Sequence, residues 1–233
     1  MKELLTMQSN KGFTLIELLV GMVLSLLLVA AGATVYLSSK KTNAVNQNIL
    51  NIQNDGQLAL QVLKNDIRLA GWTKNDLQSQ SMATPLGAGF QDGGGTASDT
   101  LAIQYEGDSD CNGTAVTNTV INVYSLNAGT LMCNGQPMID GVESFQVLYG
   151  YSGAGGGVKY VTADNVADPT AVESVRFAIL LRSERAVPDG PASRDYTVLD
   201  QQLTGYTDKK IRQVYTATVA ILNRPHNLLE VGS

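Results

Sequence analysis

The clearest hydrophobic pattern in the chain is an uncharged apolar run near the N-terminus. Leu18–Leu37 comprises 20 residues without a charged side chain. As a helix it would span about 30 Å, which matches the hydrocarbon core of a bilayer. The run has no polar face, so the pattern favours a membrane span over a buried helix of a soluble domain. A secretory signal peptide stays open, because Ala31–Ala33 has the small residues of a cleavage site.

The apolar run continues into an amphipathic pattern. Apolar residues recur there at spacings of three, four and seven between polar positions, which predicts a helix with one buried face. The pattern ends near Ala70, and Gly71 is placed to cap the helix. A coiled coil is the alternative, but the polar surroundings favour a helix packed on the chain's own globular domain. The stripe consists of Val45, Ile49, Ile52, Gly56, Ala59, Leu63 and Ile67.

Beyond Trp72, which we expect in the core, the pattern changes to the two-residue alternation of strands with one buried face. A long helix followed by a series of strands predicts an α+β fold, with the helix packed on a largely antiparallel β-sheet head. Turns rich in Gly or Pro are expected at Gly87–Gly95, Gly153–Gly157 and Pro188–Pro191. Strands are expected at Leu101–Tyr105, Phe145–Tyr149, Val175–Leu181 and Tyr215–Ile221, with weaker candidates at Val120–Tyr124 and Val158–Val161.

Composition and charge narrow the classes of function. The net charge of −5 disfavours nucleic acid as a partner, because affinity for phosphates depends on an excess of Lys and Arg. Lys209, Lys210 and Arg212 form a small basic cluster, which we interpret as a solvated strand edge. With His226 as the single histidine and no distinctive carboxylate pair, the sequence contains no recognisable catalytic set. We therefore predict that the protein is not an enzyme.

One charged residue opens the apolar run. The segment Lys11–Glu17 reads Lys-Gly-Phe-Thr-Leu-Ile-Glu and leads directly into the run. A carboxylate in a membrane helix costs about 2.5–3.5 kcal/mol at the bilayer centre, so Glu17 requires a partner. The apolar helix contains no cation. The partner has to come from another chain or from this chain's own N-terminus after cleavage.

This N-terminal segment resembles the class III signal of type IV prepilins. The resemblance implies cleavage by a prepilin peptidase after Gly12, N-methylation of Phe13, and pairing of Glu17 with the N-terminal amine of a neighbouring subunit. It also implies that the leader stays cytoplasmic and that the rest lies outside. The predicted segments are a leader at residues 1–12, a transmembrane and filament-core helix at 13–37, its amphipathic continuation at 38–70 and a globular β-rich head at 71–233.

Seven later segments follow one another along the chain: Asp66–Trp72, Cys133–Gly135, Ile139–Glu143, Val147–Gly150, Val175–Phe177, Arg212–Tyr215 and Asn223–Arg224. In this order they resemble segments of PilW-type minor pilins. The resemblance implies a part in priming and assembling a type IV pilus, within a complex of minor pilins at its tip. The implied partners are the prepilin peptidase, other minor pilins, the major pilin, a tip adhesin and the inner membrane. Asp66 and Arg68 are interpreted as a solvated or locally paired helix end.

The resemblance also implies a location: a single pass through the inner membrane with the head in the periplasm, then the pilus. Two alternative functions stay open. A J-type pseudopilin of a type II secretion system shares the leader, the helix and the α+β head. A membrane-anchored periplasmic enzyme or binding module would use the same span only as a tether, and cleavage at Gly12 would then not occur.

Two further features lie in the part placed outside the membrane. Cys111 and Cys133 are expected to form a disulfide in that oxidising compartment. Asp108, Asp110 and Asn112 have the spacing of the first half of a calcium loop. The second half does not match, because Thr119 stands where the bidentate Glu belongs. We therefore favour a polar turn beside a disulfide, with calcium as the one candidate cofactor.

Overall fold

A single long helix carries both N-terminal patterns. The computed structural model describes residues 12–74, 84–152, 157–187 and 193–223. The helix α1 (Leu15–Leu69) contains the apolar run and the amphipathic stripe. It ends where the sequence predicts, and Gly71 adopts a φ of +76°, a left-handed conformation that glycine tolerates without steric cost. The chain divides into two compact units, Met1–Asn46 and Gln47–Ser233. The four-segment division remains a prediction, and leader residues 1–11 lie outside the described part.

The head is built from antiparallel strands, and the predicted α+β fold is confirmed. The described strands are β1 (Leu101–Glu106), β2 (Thr119–Asn127), β3 (Thr130–Cys133), β4 (Gln136–Asp140), β5 (Val142–Ser152), β6 (Val158–Val161), β7 (Ser174–Arg182), β8 (Arg194–Val198), β9 (Gln201–Tyr206) and β10 (Arg212–Ala220). The first sheet has the order β1-β2-β3-β4, and the second has the order β10-β7-β5-β6. Strands β8 and β9 form a separate two-stranded ribbon.

All six predicted strands occur, and the described chain also contains four strands that were not predicted, β3, β4, β8 and β9. The expectation of a single buried face is wrong for β7, where nearly every residue is buried. Its second face lies under the β8–β9 ribbon, and Ala178 and Leu180 pack there with Tyr196, Val198 and Leu203. The turn residues 153–156 and 188–191 lie outside the described part of the chain.

The core of the head lies between the two sheets and the second half of α1. The predicted helical stripe is buried in that core at Ile52, Gly56, Ala59, Leu63 and Ile67. The helix therefore packs on its own head, as predicted. Gly56 allows a close approach to β10, since a Cβ atom there would overlap the ring of Tyr215. The largest fully buried side chains are Tyr124, Phe145, Tyr149 and Phe177.

Candidate assembly site

The predicted processing site lies outside regular secondary structure, just before α1. Residues Gly12, Phe13 and Thr14 are not helical, and all three are exposed. Phe13 is 86% exposed. An exposed peptide bond outside secondary structure is the kind that proteases cut most readily. The Gly12–Phe13 bond thus has the accessibility that cleavage requires, while its processing remains a prediction.

Glu17 lies in the first turn of α1 and closes a capping box with Thr14. Its Oε2 accepts hydrogen bonds from the Thr14 backbone N–H and hydroxyl, both at 3.4 Å, and its own N–H donates to Thr14 Oγ1 at 3.3 Å. Such reciprocal bonds satisfy orphan donors at a helix N-terminus, where the dipole also favours a carboxylate. The Thr-x-x-Glu spacing is a recognisable capping signal that the sequence analysis missed.

These capping bonds are long, so they hold Glu17 weakly. Within the described residues, no cation forms an ion pair with its carboxylate. Glu17 is 3 residues into the helix and exposed, like its neighbours. It can therefore exchange its local partners for a charged donor from outside the chain.

The first half of α1 presents a continuous exposed apolar surface. Every residue from Gly12 to Ala44 is exposed. Within the described residues, α1 is the one helix that is long and apolar enough to cross a membrane by length and composition. Large exposed apolar surfaces mark sites of contact with lipid or with other proteins. The large apolar side chains include Leu15, Ile16, Leu18, Leu19, Val20, Met22, Val23, Leu24, Leu26, Leu27, Leu28 and Val29.

In the head, the predicted disulfide between Cys111 and Cys133 is formed. It ties the loop after β1 to the end of β3. Asp110, within this loop, accepts hydrogen bonds from the backbone N–H groups of Asn112 and Thr114, both at 2.9 Å. These hydrogen bonds hold the pKa of Asp110 below its usual value, and the bond from the Thr114 N–H has the largest effect. The loop is thus a polar turn fastened by a disulfide.

The candidate calcium ligands in this loop already have protein partners. Asp108 pairs with Lys74, and the second oxygen of Asp110 accepts from the Asn134 amide at 3.2 Å. The Asn112 amide donates to the Cys133 carbonyl at 3.0 Å. The described residues contain no cluster of three or more His, Cys, Asp or Glu side chains suited to a metal. These bonds fit the polar-turn interpretation, and calcium remains an untested prediction.

Asp66 is not the solvated helix end that the sequence analysis expected. It is only 8% exposed and fastens α1 to strand β2. The Asn122 amide donates to both of its oxygens, at 3.0 and 3.1 Å, and the Tyr124 hydroxyl donates to one of them at 3.0 Å. Burial raises the pKa of Asp66, and these hydrogen bonds act in the opposite direction. Arg68 is exposed, as expected.

Two other expectations are wrong. Arg212 is not part of a solvated edge: its side chain is 3% exposed and binds Glu143 and Asp208, with closest N–O distances of 2.5 and 2.7 Å. This contact holds the pKa of Asp208 far below its usual value. Trp72 is not in the core, because it is 40% exposed. No signal in the local sequence distinguishes these two environments.

Comparisons with known proteins agree with this geometry. The family model described as Type IV Pilus-assembly protein W matches residues 109–223. The Prokaryotic N-terminal methylation motif matches residues 7–33. Among solved structures, the chain is similar to a type IV-like pilin from Thermus thermophilus. The TM-score is 0.50 at 14% identity, over 75% of this chain and 98% of that one, which supports the fold. No curated protein matches the sequence.

The apolar helix, the methylation motif and the antiparallel head together define a type IV pilin with a prepilin signal. Within that class, the match over residues 109–223 supports the PilW type. The chain is a minor pilin with a role in type IV pilus assembly. This family and fold are structural rather than enzymatic.

Proposed function

We propose that this minor pilin is processed at Gly12–Phe13 and then primes pilus assembly within a complex of minor pilins at the filament tip. The observation that carries the proposal is the exposed apolar half of α1, headed by Glu17. Before assembly, lipid of the inner membrane covers this surface and the head lies in the periplasm. In the filament, the helices of neighbouring subunits replace the lipid.

Glu17 supplies the polar contact that sets the position of a subunit in this arrangement. Cleavage after Gly12 creates an amine at Phe13, and methylation of an amine leaves its positive charge in place. The carboxylate of one subunit then meets the charged amine of its neighbour. A charge-assisted hydrogen bond is stronger than the capping bonds to Thr14, and apolar surroundings strengthen it further. The pairing also removes the cost of an unpartnered carboxylate among apolar helices.

The head contributes surfaces rather than chemistry in this proposal. Its buried ionic and polar groups, Arg212 and Asp66 among them, hold the helix and strands together. The proposed partners are the prepilin peptidase, other minor pilins, the major pilin and a tip adhesin. No catalytic step is part of the proposed role.

Replacement of Glu17 tests this function in the native host. Glu17→Ala and Glu17→Gln are expected to reduce the protein in sheared filaments at least roughly tenfold, the scale of one lost charge-assisted pair. The protein should remain in the membrane with its disulfide formed. Asp195→Ala, at an exposed head carboxylate, is the control and should incorporate normally.

The Glu17 variants and a deletion strain distinguish this function from the two alternatives, a tethered enzyme or binding module and a J-type pseudopilin. Normal incorporation of both Glu17 variants would contradict the proposal and favour a tethered enzyme or binding module. Deletion of the whole gene should abolish piliation and twitching. Intact piliation together with lost enzyme export would instead identify a J-type pseudopilin.

A further inference from the structure

The two large sheets have four edge strands, and three of them are protected against pairing with another strand. Strand β4 is short and contains Pro137, which lacks an N–H donor. Strand β6 has 4 residues and carries Lys159. Short strands, Pro and Lys are common means of preventing edge-to-edge pairing.

The edge of β1 is protected in another way, because neighbouring segments already occupy its backbone. Gly71 N–H donates to the Gln104 carbonyl at 2.9 Å, and Glu106 N–H donates to the Trp72 carbonyl at 2.8 Å. Gln104 N–H donates to the Pro85 carbonyl at 3.1 Å. These contacts satisfy the side of β1 that faces away from β2.

Strand β10 is different, because its outer edge is open within the described part of the chain. It pairs with β7 over 9 residues without a register shift. The flanking bonds from Ile221 N–H to the Glu173 carbonyl and from Ser183 N–H to the Ile211 carbonyl fix the alternation. Odd-numbered residues therefore bond to β7, and the backbone groups of Thr216, Thr218 and Ala220 point to the open edge.

From Thr216 to Ala220, the part of this edge that the structure describes contains no Pro and no charged residue that would discourage pairing. Thr216, Thr218 and Ala220 have small, uncharged side chains, and all three are exposed. None of their backbone groups bonds to another described segment. An unpaired row of alternating donors and acceptors is a template for an added strand.

A basic cleft lies beside the edge of β10. It has a volume of about 270 Å³, lies between the end of α1 and strand β10, and contains two cations and no carboxylate among its lining residues. Neither Lys64 nor Arg68 forms an ion pair within the described residues. The lining is completed by Thr218, Val219, Ala220 and the exposed apolar Leu222.

We propose that the β10 edge and this cleft bind an extended acidic segment of another protein as an added β-strand. The open backbone groups would supply the ladder of hydrogen bonds. Alternate side chains of the added strand would enter the cleft, where carboxylates meet Lys64 and Arg68. The charge of the cleft thus selects an acidic strand over a basic or neutral one. This proposal concerns the head alone and does not depend on processing at Gly12.

The experiment uses the full chain in detergent micelles and a defined peptide. The probe is a capped peptide of about seven residues, Thr-Glu-Val-Glu-Val-Glu-Thr, with all its carboxylates on one face of the strand. The matched control peptide has Lys in place of each Glu. We expect the acidic peptide to bind at least roughly tenfold more tightly than the basic one. Its binding should slow amide hydrogen exchange at Thr216, Thr218 and Ala220.

Variants assign this binding to the cleft and the edge. Arg68→Glu should weaken binding of the acidic peptide roughly tenfold, because an attraction becomes a repulsion. Lys159→Glu, the same charge change at the β6 edge, should leave it unchanged. Thr218→Pro removes one outward N–H that β7 does not use. In this variant the acidic peptide should no longer slow amide hydrogen exchange at Thr216 and Ala220.

Two results would overturn the proposal. One is equal binding of both peptides, or equal binding to wild type and Arg68→Glu. The other is slow exchange of these three amides in the free chain that becomes fast when residues 224–233 are deleted. In that case the chain's own C-terminal segment, and not another protein, would occupy the edge.

Discussion

The two halves of α1 both carry apolar side chains, but only the second half buries them against the head. Both contain apolar residues, a glycine and a carboxylate, and both belong to one continuous helix. In the half after Gln47, Leu63 is fully buried, Gly56 meets a tyrosine ring, and Asp66 is hydrogen bonded to β2. In the half before Asn46, the equivalent residues Leu24, Gly21 and Glu17 are exposed.

This contrast shows that the second half of α1 is shielded from water by its own chain, whereas the first half is not. Apolar surface is driven out of water irrespective of its position in the chain. The head supplies the cover for the second half. The first half must obtain its cover from lipid and from other subunits. Matched substitutions in the two halves should therefore differ in which property they change.

The largest difference between the two halves is expected when one leucine in each is replaced by alanine. Leu63→Ala leaves a cavity in the core and should lower the free energy of unfolding of the head by about 2–5 kcal/mol. Leu24→Ala removes a side chain that is 56% exposed and should change that free energy by less than about 0.5 kcal/mol. Denaturant unfolding of the full chain in detergent measures both values. Equal losses would break the comparison.

The two carboxylates give the next contrast. Asp66→Ala leaves the buried Tyr124 hydroxyl without its acceptor, and the Asn122 amide keeps only its hydrogen bond to the Tyr105 hydroxyl, at a cost of about 2 kcal/mol to head stability. Glu17→Ala should leave head stability unchanged, because among the described residues the Glu17 side chain bonds to Thr14 alone. The same unfolding experiment applies. A stable head in the Asp66 variant would show that this network does not hold the helix to the sheet.

A third expectation concerns pH and the head only. Asp99 is buried, and its carboxylate accepts hydrogen bonds from the backbone N–H groups of Gly93 and Val147. Burial raises the pKa of Asp99 from 3.8 to about 6, because the charged form loses hydration. The folded head binds this proton more readily than the unfolded chain. Stability should therefore decrease, on the order of 1–3 kcal/mol, as pH rises from about 4 to about 6.

The variant Asp99→Asn tests the origin of that pH dependence. It should be less stable overall, since an amide presents an N–H₂ group to a backbone donor. Its unfolding free energy should nevertheless change less with pH over this range than that of wild type. Asp195→Asn, at an exposed position, is the control and should keep the wild-type slope. An unchanged slope in the Asp99 variant would assign the pH dependence to other groups.

The smallest effect is expected from the two glycines. Gly56→Ala places a methyl group against the Tyr215 ring, and the resulting strain exceeds the gain in helix propensity by about 1 kcal/mol. At Gly21 the corresponding methyl would meet nothing within 4 Å. Gly21→Ala should therefore leave head stability as it is. Thermal unfolding resolves a difference of this size, and a stabilised Gly56 variant would show that the helix adjusts its packing.

Patterns that extend over many consecutive residues made most of the fold predictable. The apolar run and the helical stripe follow from the order of apolar and polar residues, and so do the four strands with clear alternation and the two weaker candidates. Strands β3 and β4 were missed although Asn134-Gly135, with φ of +48° and +77°, is a strong hairpin signal. Pro137 concealed β4, because Pro argues against a strand unless that strand is at an edge.

The errors at individual residues have a different cause, since they depend on distant parts of the chain. Asp66 is buried because Asn122 and Tyr124, more than 50 positions away, meet it. Arg212 is buried because Glu143, 69 positions earlier, binds its guanidinium group. Local composition contains no trace of such partners. The processing residues, in contrast, are contiguous in the sequence, so the motif at Gly12–Glu17 can be recognised without the structure.

We propose that, after processing, neighbouring subunits of a filament cover the exposed half of α1. The most direct test is intact-mass and N-terminal peptide analysis of this protein from sheared filaments and from membranes of the native host. We expect the filament fraction to contain a chain that begins at methylated Phe13. A chain that still begins at Met1 and is confined to the membrane, while other prepilins are cleaved, would contradict the account.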